Sequence, residues 1–145
     1  RGLESYRQVD VRISDGMVLD PGPVDAILVN AGVTHAAPLW LDRLRPNGRM
    51  LLPLTYAPAG STTSTGIMVL VRRSAEAFTV KAIGSVAIFT GQGGRSSILN
   101  ERLRTTLPQG GWQRLQIIRR HPHDEDESCW LHVDGACFSM SRATA

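Results

Sequence analysis

The chain has 145 residues, of which 42% are hydrophobic and 20% charged; this composition predicts one folded domain and excludes a disordered chain. The net charge of +3 comes from scattered arginines, with Lys81 the only lysine, which disfavours a nucleic-acid-binding face. No apolar run approaches the roughly 18 residues that a membrane span needs, and no signal segment begins the chain, so a cytoplasmic protein is expected.

The amino-terminal part of the chain predicts a strand, a loop and a second strand. Val9 to Ile13 alternates apolar and polar residues, as a short strand does, and residues 16–23 form a loop because Pro21-Gly22-Pro23 forbids regular structure. Ala26 to Val29 is a continuous apolar run, which predicts that the strand over Asp25 to Asn30 is covered on both faces in a parallel sheet.

A helix and several strands follow in the middle of the chain. Pro38 begins a short helix that Pro46-Asn47-Gly48 ends, and Met50 to Leu54 forms the next buried strand. The later elements are strands at 67–71, 78–83 and 86–89, a turn at Gly91-Gln92-Gly93-Gly94, a helix from Ile98 that ends before Pro108, and strands over 112–140 around a charged turn at 121–127.

A hairpin turn is predicted at Asp134-Gly135, the dipeptide most typical of two-residue turns. The register that follows from this turn pairs Leu131 with Phe138 and Cys129 with Met140. Because side chains alternate along a strand, Cys129 and Cys137 then point to opposite faces, and a disulfide between them is unfavourable. Reduced, structural cysteines are expected.

The charged turn contains several residue types that bind metals. His121, His123 and the acidic run 124–127 lie close together in sequence. Zinc sites usually take ligands from two separated segments, and apart from Cys129 and His132 the chain offers no second cluster. We therefore expect a charged, solvated turn and no metal site.

Three short segments are candidates for binding, and each has a purely structural alternative. Asp15-Gly16 follows a predicted strand, where a carboxylate accepts hydrogen bonds from a ribose or adenine; the alternative is an Asx turn. Asn30-Ala31-Gly32 ends the next strand, where small residues leave room for a ligand or simply allow a tight connection. Thr34 and His35 lie just beyond, and His35 could orient a substrate or only form surface hydrogen bonds.

Taken together, three stretches closely resemble S-adenosylmethionine-dependent methyltransferases, and within them the protein-L-isoaspartate O-methyltransferase family. These stretches are Asp15-Gly16, Val24 to His35 and Leu44 to Leu54, and the most specific element is Arg45-Pro46-Asn47-Gly48-Arg49 with Pro53. Gly66 to Arg73 is similar to the next strand of that family, so the resemblance covers roughly residues 9–105.

The resemblance implies an S-adenosylmethionine cofactor and a protein substrate that carries isoaspartate, methylated as a step of repair. Asp15, Gly16 and Met17 would then lie by the adenine, and Asn30, Ala31 and Gly32 would form the floor beneath the methyl-donor sulfur. Thr34, His35 and Thr55 are candidates for facing the substrate. No catalytic residue is assigned, because an ionised carboxylate needs no base to accept a methyl group.

By the same resemblance, the fold class is α/β: the carboxyl-terminal half of a Rossmann-like methyltransferase sheet with a β-rich extension. We expect residues 1–107 to be a partial methyltransferase domain that lacks the glycine-rich cofactor loop, and residues 108–145 to be the extension. The isolated chain is expected to be inactive and unable to form a complete parallel sheet. The alternatives are a non-catalytic β-rich interaction module derived from a methyltransferase half, or a methyltransferase with another substrate.

Overall fold

The computed structural model describes residues 2–140, which form a single mixed sheet with two α-helices. The elements are β1 (Val24–Leu28), α1 (Pro38–Arg43), β2 (Leu44–Tyr56), β3 (Thr63–Ser74), β4 (Ala77–Phe89), α2 (Ser97–Gln109), β5 (Ile117–Arg119), β6 (Cys129–Leu131) and β7 (Cys137–Ser139), with a 3-10 turn at Trp112–Arg114. None of the helices within 2–140 is long and apolar enough to cross a membrane.

The seven strands are ordered β1-β2-β3-β4-β5-β7-β6 across the sheet. β1 and β2 run parallel, and every other neighbouring pair over residues 2–140 is antiparallel. The long strands β2, β3 and β4 pair along most of their length and form the centre. The protein is thus an α/β protein with a mixed sheet, and β5, β6 and β7 continue the sheet that the earlier strands begin.

The core lies against one face of the central strands. Alternate side chains of β2 and β3 are at most 1% exposed, as the two-residue period of a strand requires when one face is covered. They are Met50, Leu52 and Leu54 on β2, and Ile67, Val69 and Val71 on β3. Leu41, Leu103, Leu131 and Phe138 are also fully buried in this cluster, so the core extends from α1 to the terminal hairpin.

The predicted strand from Val9 to Ile13 is wrong. These residues are irregular and their apolar side chains are exposed, Val11 by 66% and Ile13 completely. Apolar and polar residues alternate here as in a strand, but a strand forms only where a neighbour satisfies its backbone groups. Within 2–140 the segment has no strand beside it.

The β1 strand is found at almost the predicted position, but not in the predicted environment. It lies at the edge of the sheet, and Leu28 is 68% exposed. An uninterrupted apolar sequence predicts burial on both faces only if strands and helices on both sides are present to cover it. The prediction that this strand is covered on both faces is therefore wrong for the described residues.

Three predicted boundaries differ from the structure for local reasons. The segment Pro46-Asn47-Gly48 lies inside β2 instead of ending the helix. On the neighbouring strand β1, Val24 pairs with Leu44 and Ala26 pairs with Arg49, so residues 45–48 bulge from the ladder. Asn47, in this bulge, has a φ of 65°. The strands predicted at 78–83 and 86–89 are one strand, β4, with an irregularity at Ile83. Pro108 lies in the last turn of α2, where a missing amide costs only one helical bond.

The terminal hairpin has the predicted turn but a different register. Leu131 pairs with Phe138 as predicted, whereas Cys129 pairs with Ser139 instead of Met140 because Trp130 is an extra residue on its strand. A bulge of one residue reverses the face that the preceding side chain occupies. The Cys129 and Cys137 sulfurs consequently lie within 4.8 Å of each other, and the prediction that they point to opposite faces is wrong.

Candidate functional site

The turn at Asp15 is tied to α1. The Asp15 Oδ1 atom accepts a hydrogen bond from the Met17 amide at 2.9 Å, which makes an Asx turn. The Leu19 amide also donates to the Asp15 carbonyl, at 2.9 Å. The buried indole of Trp40 donates from Nε1 to the Gly16 carbonyl at 2.8 Å. Residues 15–17 therefore have a fixed position although they lie in an irregular segment.

A second contact holds the same segment three residues further on. Arg43, in the last turn of α1, donates to both carboxylate oxygens of Asp20, from Nε at 2.6 Å and from Nη2 at 2.5 Å. The Arg43 hydrogen bond, reinforced by the Gly22 amide, lowers the pKa of Asp20 to about 2. A two-pronged pair of this kind fixes orientation as well as distance.

The ion pair between Asp20 and Arg43 makes the stability of the fold depend on pH. Because the pKa of Asp20 is lower in the folded chain than its ordinary value of 3.8, its contribution is present above about pH 4 and is lost as the pH falls toward 2. The Asp20→Asn variant is expected to show a shallower loss of Tm over this window. Thermal melts between pH 2 and pH 7 measure it, and Asp10→Asn, which leaves Asp20 intact, should keep the wild-type slope. Identical slopes in all three proteins would contradict this assignment.

The chain beyond β1 is clamped between the ends of two other strands. The Gly32 amide donates to the Phe89 carbonyl at 2.8 Å, and the Gly91 amide donates to the Gly32 carbonyl at 2.9 Å. A side chain at Gly32 would collide with the hydroxyls of Ser64 and Thr55, so only glycine fits there. The absence of a side chain at Gly32 thus leaves the space that the Ser64 and Thr55 hydroxyls occupy.

These segments line an open cavity of about 170 Å³ at the carboxyl end of β1. It is lined by Asp15, Gly16, Met17, Val29, Ala31, Val33, Trp40, Gly91, Gln92 and Gly93. The loop 91–93 closes one side, where a Cβ atom on Gly93 would lie 2.9 Å from Asp15 Oδ1. The walls are mostly apolar, with one carboxylate and several backbone groups at the rim.

The structure brings together four of the six residues that sequence reasoning proposed for a cofactor. Asp15, Gly16, Met17 and Ala31 line the same cavity, although 13 or more positions separate Ala31 from the others in sequence. Gly32 is buried and Asn30 is exposed, and neither lines the cavity. What these residues bind stays a prediction.

Thr34 and Thr55, proposed to face a substrate, are both completely buried. The Thr34 hydroxyl donates to the Gly94 carbonyl at 3.2 Å and accepts from the Ser96 amide at 3.0 Å, and the Thr55 hydroxyl accepts from Arg95 at 3.0 Å. With their hydroxyls already engaged, the geometry favours a role in holding the loops over direct contact with a substrate.

His35, the third residue proposed to face a substrate, belongs to another cavity. This cavity, of about 450 Å³, is also lined by Ser96, Leu99, His132 and Asp134 and does not include the Asp15 turn. Burial, and then the positive charge of Arg95, lower the pKa of His35. A neutral imidazole that is bonded to Thr34 through Nδ1 at 2.9 Å is therefore the favoured state.

Arg95 is a structural residue that sequence reasoning missed. Its Nη1 group donates to the carbonyls of Gly32 and Thr55, at 3.2 and 3.0 Å, and its Nη2 group donates to Asn100 Oδ1 at 2.5 Å. All of these acceptors are neutral, and burial lowers the pKa of Arg95. The guanidinium ties the glycine-rich loop to the ends of β1 and β2. The sequence signal was present, since Arg95 follows directly on Gly91 to Gly94.

A separate cluster of chemically reactive side chains lies at the terminal hairpin. His123, Cys129, His132 and Cys137 bring one nitrogen or sulfur atom each to the same place. The expectation of a fully solvated charged turn at 121–127 is wrong for His123, which is partly buried, because the chain folds this residue back onto the hairpin.

Comparison with known proteins gives partial matches to one family. Proteins named protein-L-isoaspartate O-methyltransferase 1 from Nitrosospira multiformis and Cupriavidus necator are 40% and 35% identical to this chain over 47% and 48% of its length. Protein-L-isoaspartate O-methyltransferase 2 from Shewanella sediminis is 34% identical over 56%. No family model matches the chain.

The matches cover only part of these relatives. The chain spans between 26% and 32% of the length of the curated relatives it matches. Identities of 34 to 40% over about half of the chain confirm the resemblance predicted from its motifs. The similarity is consistent with a carboxyl-terminal portion of the family.

Proposed function

We propose that this chain forms one wall of the S-adenosylmethionine site of a methyltransferase that acts on isoaspartyl carboxylates in proteins. The observation that carries the proposal is the convergence of Asp15, Gly16, Met17 and Ala31 on one cavity at the carboxyl end of β1. In open α/β sheets, ligands bind beyond the carboxyl ends of the strands. The names of the three relatives supply the reaction class.

The chemistry of the cavity suits the adenine ring of this cofactor. Met17, Val29, Val33 and Trp40 provide apolar surface for a flat aromatic ring. The Asp15 carboxylate accepts one hydrogen bond from the Met17 amide and keeps further acceptor positions for an exocyclic amine. We assign adenine recognition to this turn and assign the space beside Ala31 to the sulfur end.

The size of the cavity indicates that other residues complete the site. Ligand pockets usually measure about 300–1,000 Å³, whereas this cavity measures about 170 Å³. It therefore accommodates one part of a cofactor and leaves the ribose and the methionine part to be bound elsewhere. For this reason we expect the isolated chain to bind the cofactor weakly and to transfer no methyl groups.

When bound, S-adenosylmethionine would supply the methyl group for a carboxylate oxygen of the isoaspartyl side chain, which would leave a methyl ester and S-adenosylhomocysteine. Such an in-line displacement is accelerated mainly by positioning and by removal of water from the nucleophile. The rigid carboxyl end of β1, held by Gly32 and Arg95, would contribute the positioning.

Binding of S-adenosylhomocysteine to the 145-residue chain tests the proposal. In a titration followed by amide NMR, the Gly16, Met17, Ala31 and Gly93 signals are expected to shift together. The Gly93→Val variant should weaken binding about tenfold or more, which corresponds to about 1.4 kcal/mol, because the new side chain occupies the space against Asp15.

The matched control is Gly84→Val in β4, where a Cβ atom has nothing within 4 Å, and this variant should bind as the wild type does. Shifts confined to other residues, or equal affinity in the Gly93 and Gly84 variants, would contradict the proposal. The methyl acceptor is tested separately, with an isoaspartyl peptide and its aspartyl isomer, in the longest natural protein that contains this sequence.

A second candidate function, a non-catalytic interaction module, is favoured by one observation. Leu28 is 68% exposed on β1, the strand at the open edge of the sheet, and Val11 and Ile13 are also exposed. An unpaired edge strand can bind an extended segment by backbone hydrogen bonding. Absence of S-adenosylhomocysteine binding would favour this function over the enzyme.

A further inference from the structure

Four potential metal ligands meet at the terminal hairpin. One ligand atom each from His123, Cys129, His132 and Cys137 lies within 4.8 Å of the other three. The Cys129 sulfur is 3.6 Å from His123 Nε2 and 3.7 Å from His132 Nδ1. The ligands come from the loop before β6, from β6 itself, from the hairpin and from β7, so folding brings them together.

The geometry points to a structural Zn²⁺ site formed by these four side chains. Zinc binds thiolate sulfur at about 2.3 Å and imidazole nitrogen at about 2.0–2.1 Å with tetrahedral angles, which places sulfur and nitrogen ligands about 3.6 Å apart. The two sulfur-to-nitrogen distances from Cys129, 3.6 and 3.7 Å, match this edge. Two cysteines and two histidines are also a usual donor set for zinc.

The second ring nitrogen of each histidine faces an oxygen atom, and in His123 this contact is at hydrogen-bonding distance. The Nδ1 atom of His123 is 2.9 Å from the His121 carbonyl, so this nitrogen donates and leaves Nε2 with a lone pair toward Cys129. His132 presents Nδ1 to Cys129 while its Nε2 faces the Asp134 carboxylate at 3.9 Å. Metal-bound histidines almost always direct their other nitrogen at a carbonyl or a carboxylate.

Two nitrogen donors lie beside the Cys129 sulfur. Arg119, whose side chain is only 7% exposed, donates from Nη2 to the Cys129 sulfur at 2.6 Å, and the Asp126 amide lies 3.4 Å from the same sulfur. Arg119 is in turn held by both oxygens of Asp126 at 2.9 and 3.1 Å. Two thiolates balance Zn²⁺, and Arg119 balances Asp126, so the burial of Cys137 leaves no net charge uncompensated.

Four protein ligands leave no position for substrate, so the site is structural and not catalytic. The strands it would hold, β5, β6 and β7, have three residues each, and a metal can stabilise such short elements. The bulge at Trp130 contributes to this site, because it turns Cys129 toward Cys137. A Cys129–Cys137 disulfide would use the same sulfurs but would not account for the orientation of His123 and His132.

Metal analysis of the untagged chain, purified under reducing conditions, tests the inference directly. One zinc ion per chain is expected, and X-ray absorption should show sulfur ligands at about 2.3 Å and nitrogen ligands at about 2.0 Å. Replacement by Co²⁺ should give the visible bands of tetrahedral cobalt together with thiolate-to-cobalt charge transfer. These measurements use the wild-type chain and do not depend on any variant folding.

Variants identify the ligands. Cys129→Ser and Cys137→Ser should lose the bound metal, whereas His121→Ala, which removes an exposed neighbouring imidazole, should retain one ion per chain. Three results would overturn the inference: a chain that retains no metal after incubation with Zn²⁺ and dialysis, a bound ion without sulfur ligands, or a metal-free chain with a Cys129–Cys137 disulfide.

Discussion

Replacing Phe138 with alanine is expected to lower the free energy of unfolding by about 3–5 kcal/mol. The ring is completely buried on β7, where it pairs with Ile118 of β5 and Leu131 of β6. Its removal leaves a cavity that the neighbouring strands cannot fill without breaking their hydrogen bonds. Urea denaturation followed by circular dichroism measures the change, which is a large fraction of the total stability of a typical domain.

The matched control is Phe89→Ala at the end of β4, where the ring is 74% exposed. This variant is expected to change stability by no more than about 0.5 kcal/mol. If both variants lost the same amount, Phe138 would not be part of the core. A single transition for the Phe138 variant would show that residues 108–140 and the central strands unfold together, as their common sheet and core require.

The Gly66→Ala substitution is expected to lower the free energy of unfolding by about 3 kcal/mol, because the central sheet has no room for a Cβ atom at this position. Gly66 pairs with Thr55, and the added carbon would overlap the Leu54 carbonyl oxygen and lie 2.8 Å from the Thr55 Cα atom. Backbone atoms, unlike a side chain, cannot rotate away, so β2 and β3 would have to separate. Thermal melting and urea denaturation should both detect the loss.

Gly84→Ala provides the comparison for this variant within the same sheet. Gly84 lies on β4, and no atom lies within 4 Å of the position that the alanine methyl group would take, so this change should be tolerated to within about 0.5 kcal/mol. The contrast separates the effect of the tight approach at Gly66 from the general preference of strands for residues other than glycine. Equal losses of stability in the Gly66 and Gly84 variants would contradict the steric explanation.

The central elements could be predicted because their signals are local. Met50 to Leu54 and Ile67 to Val71 are apolar runs of strand length, and Pro38 marks the beginning of α1, as the structure confirms. Val9 to Ile13 has an equally good strand pattern and fails, since pairing depends on a distant partner that no local pattern specifies. The exposure of Leu28 has the same cause.

At the hairpin, one extra residue decided how much could be predicted. Asp134-Gly135 correctly indicated the turn and the pairing of Leu131 with Phe138. The bulge at Trp130 has no glycine or other signal to mark it, so simple alternation placed Cys129 on the wrong face. With Cys129 misplaced, the grouping of the histidines with both cysteines was invisible from sequence.

The candidate cofactor cavity could be predicted in part. The Asp15 turn and Ala31 were proposed from motif resemblance and do lie together. The contribution of Gly91 to Gly93 was missed because a glycine-rich turn has no preferred partner until the chain folds back on itself. Arg95 was missed for a related reason, as its acceptors come from the segment after β1, from β2 and from α2.

In the proposed cofactor site, the Trp40 indole would couple ligand affinity to the order of residues 15–17. It is a wall of the cavity and also donates to the Gly16 carbonyl, so residues 15–17 cannot move away without losing that bond and one side of the cavity. A molecule that occupies the cavity binds only the docked arrangement and must stabilise it by mass action. A change that loosens the turn would therefore weaken binding to the extent that it lowers the docked fraction.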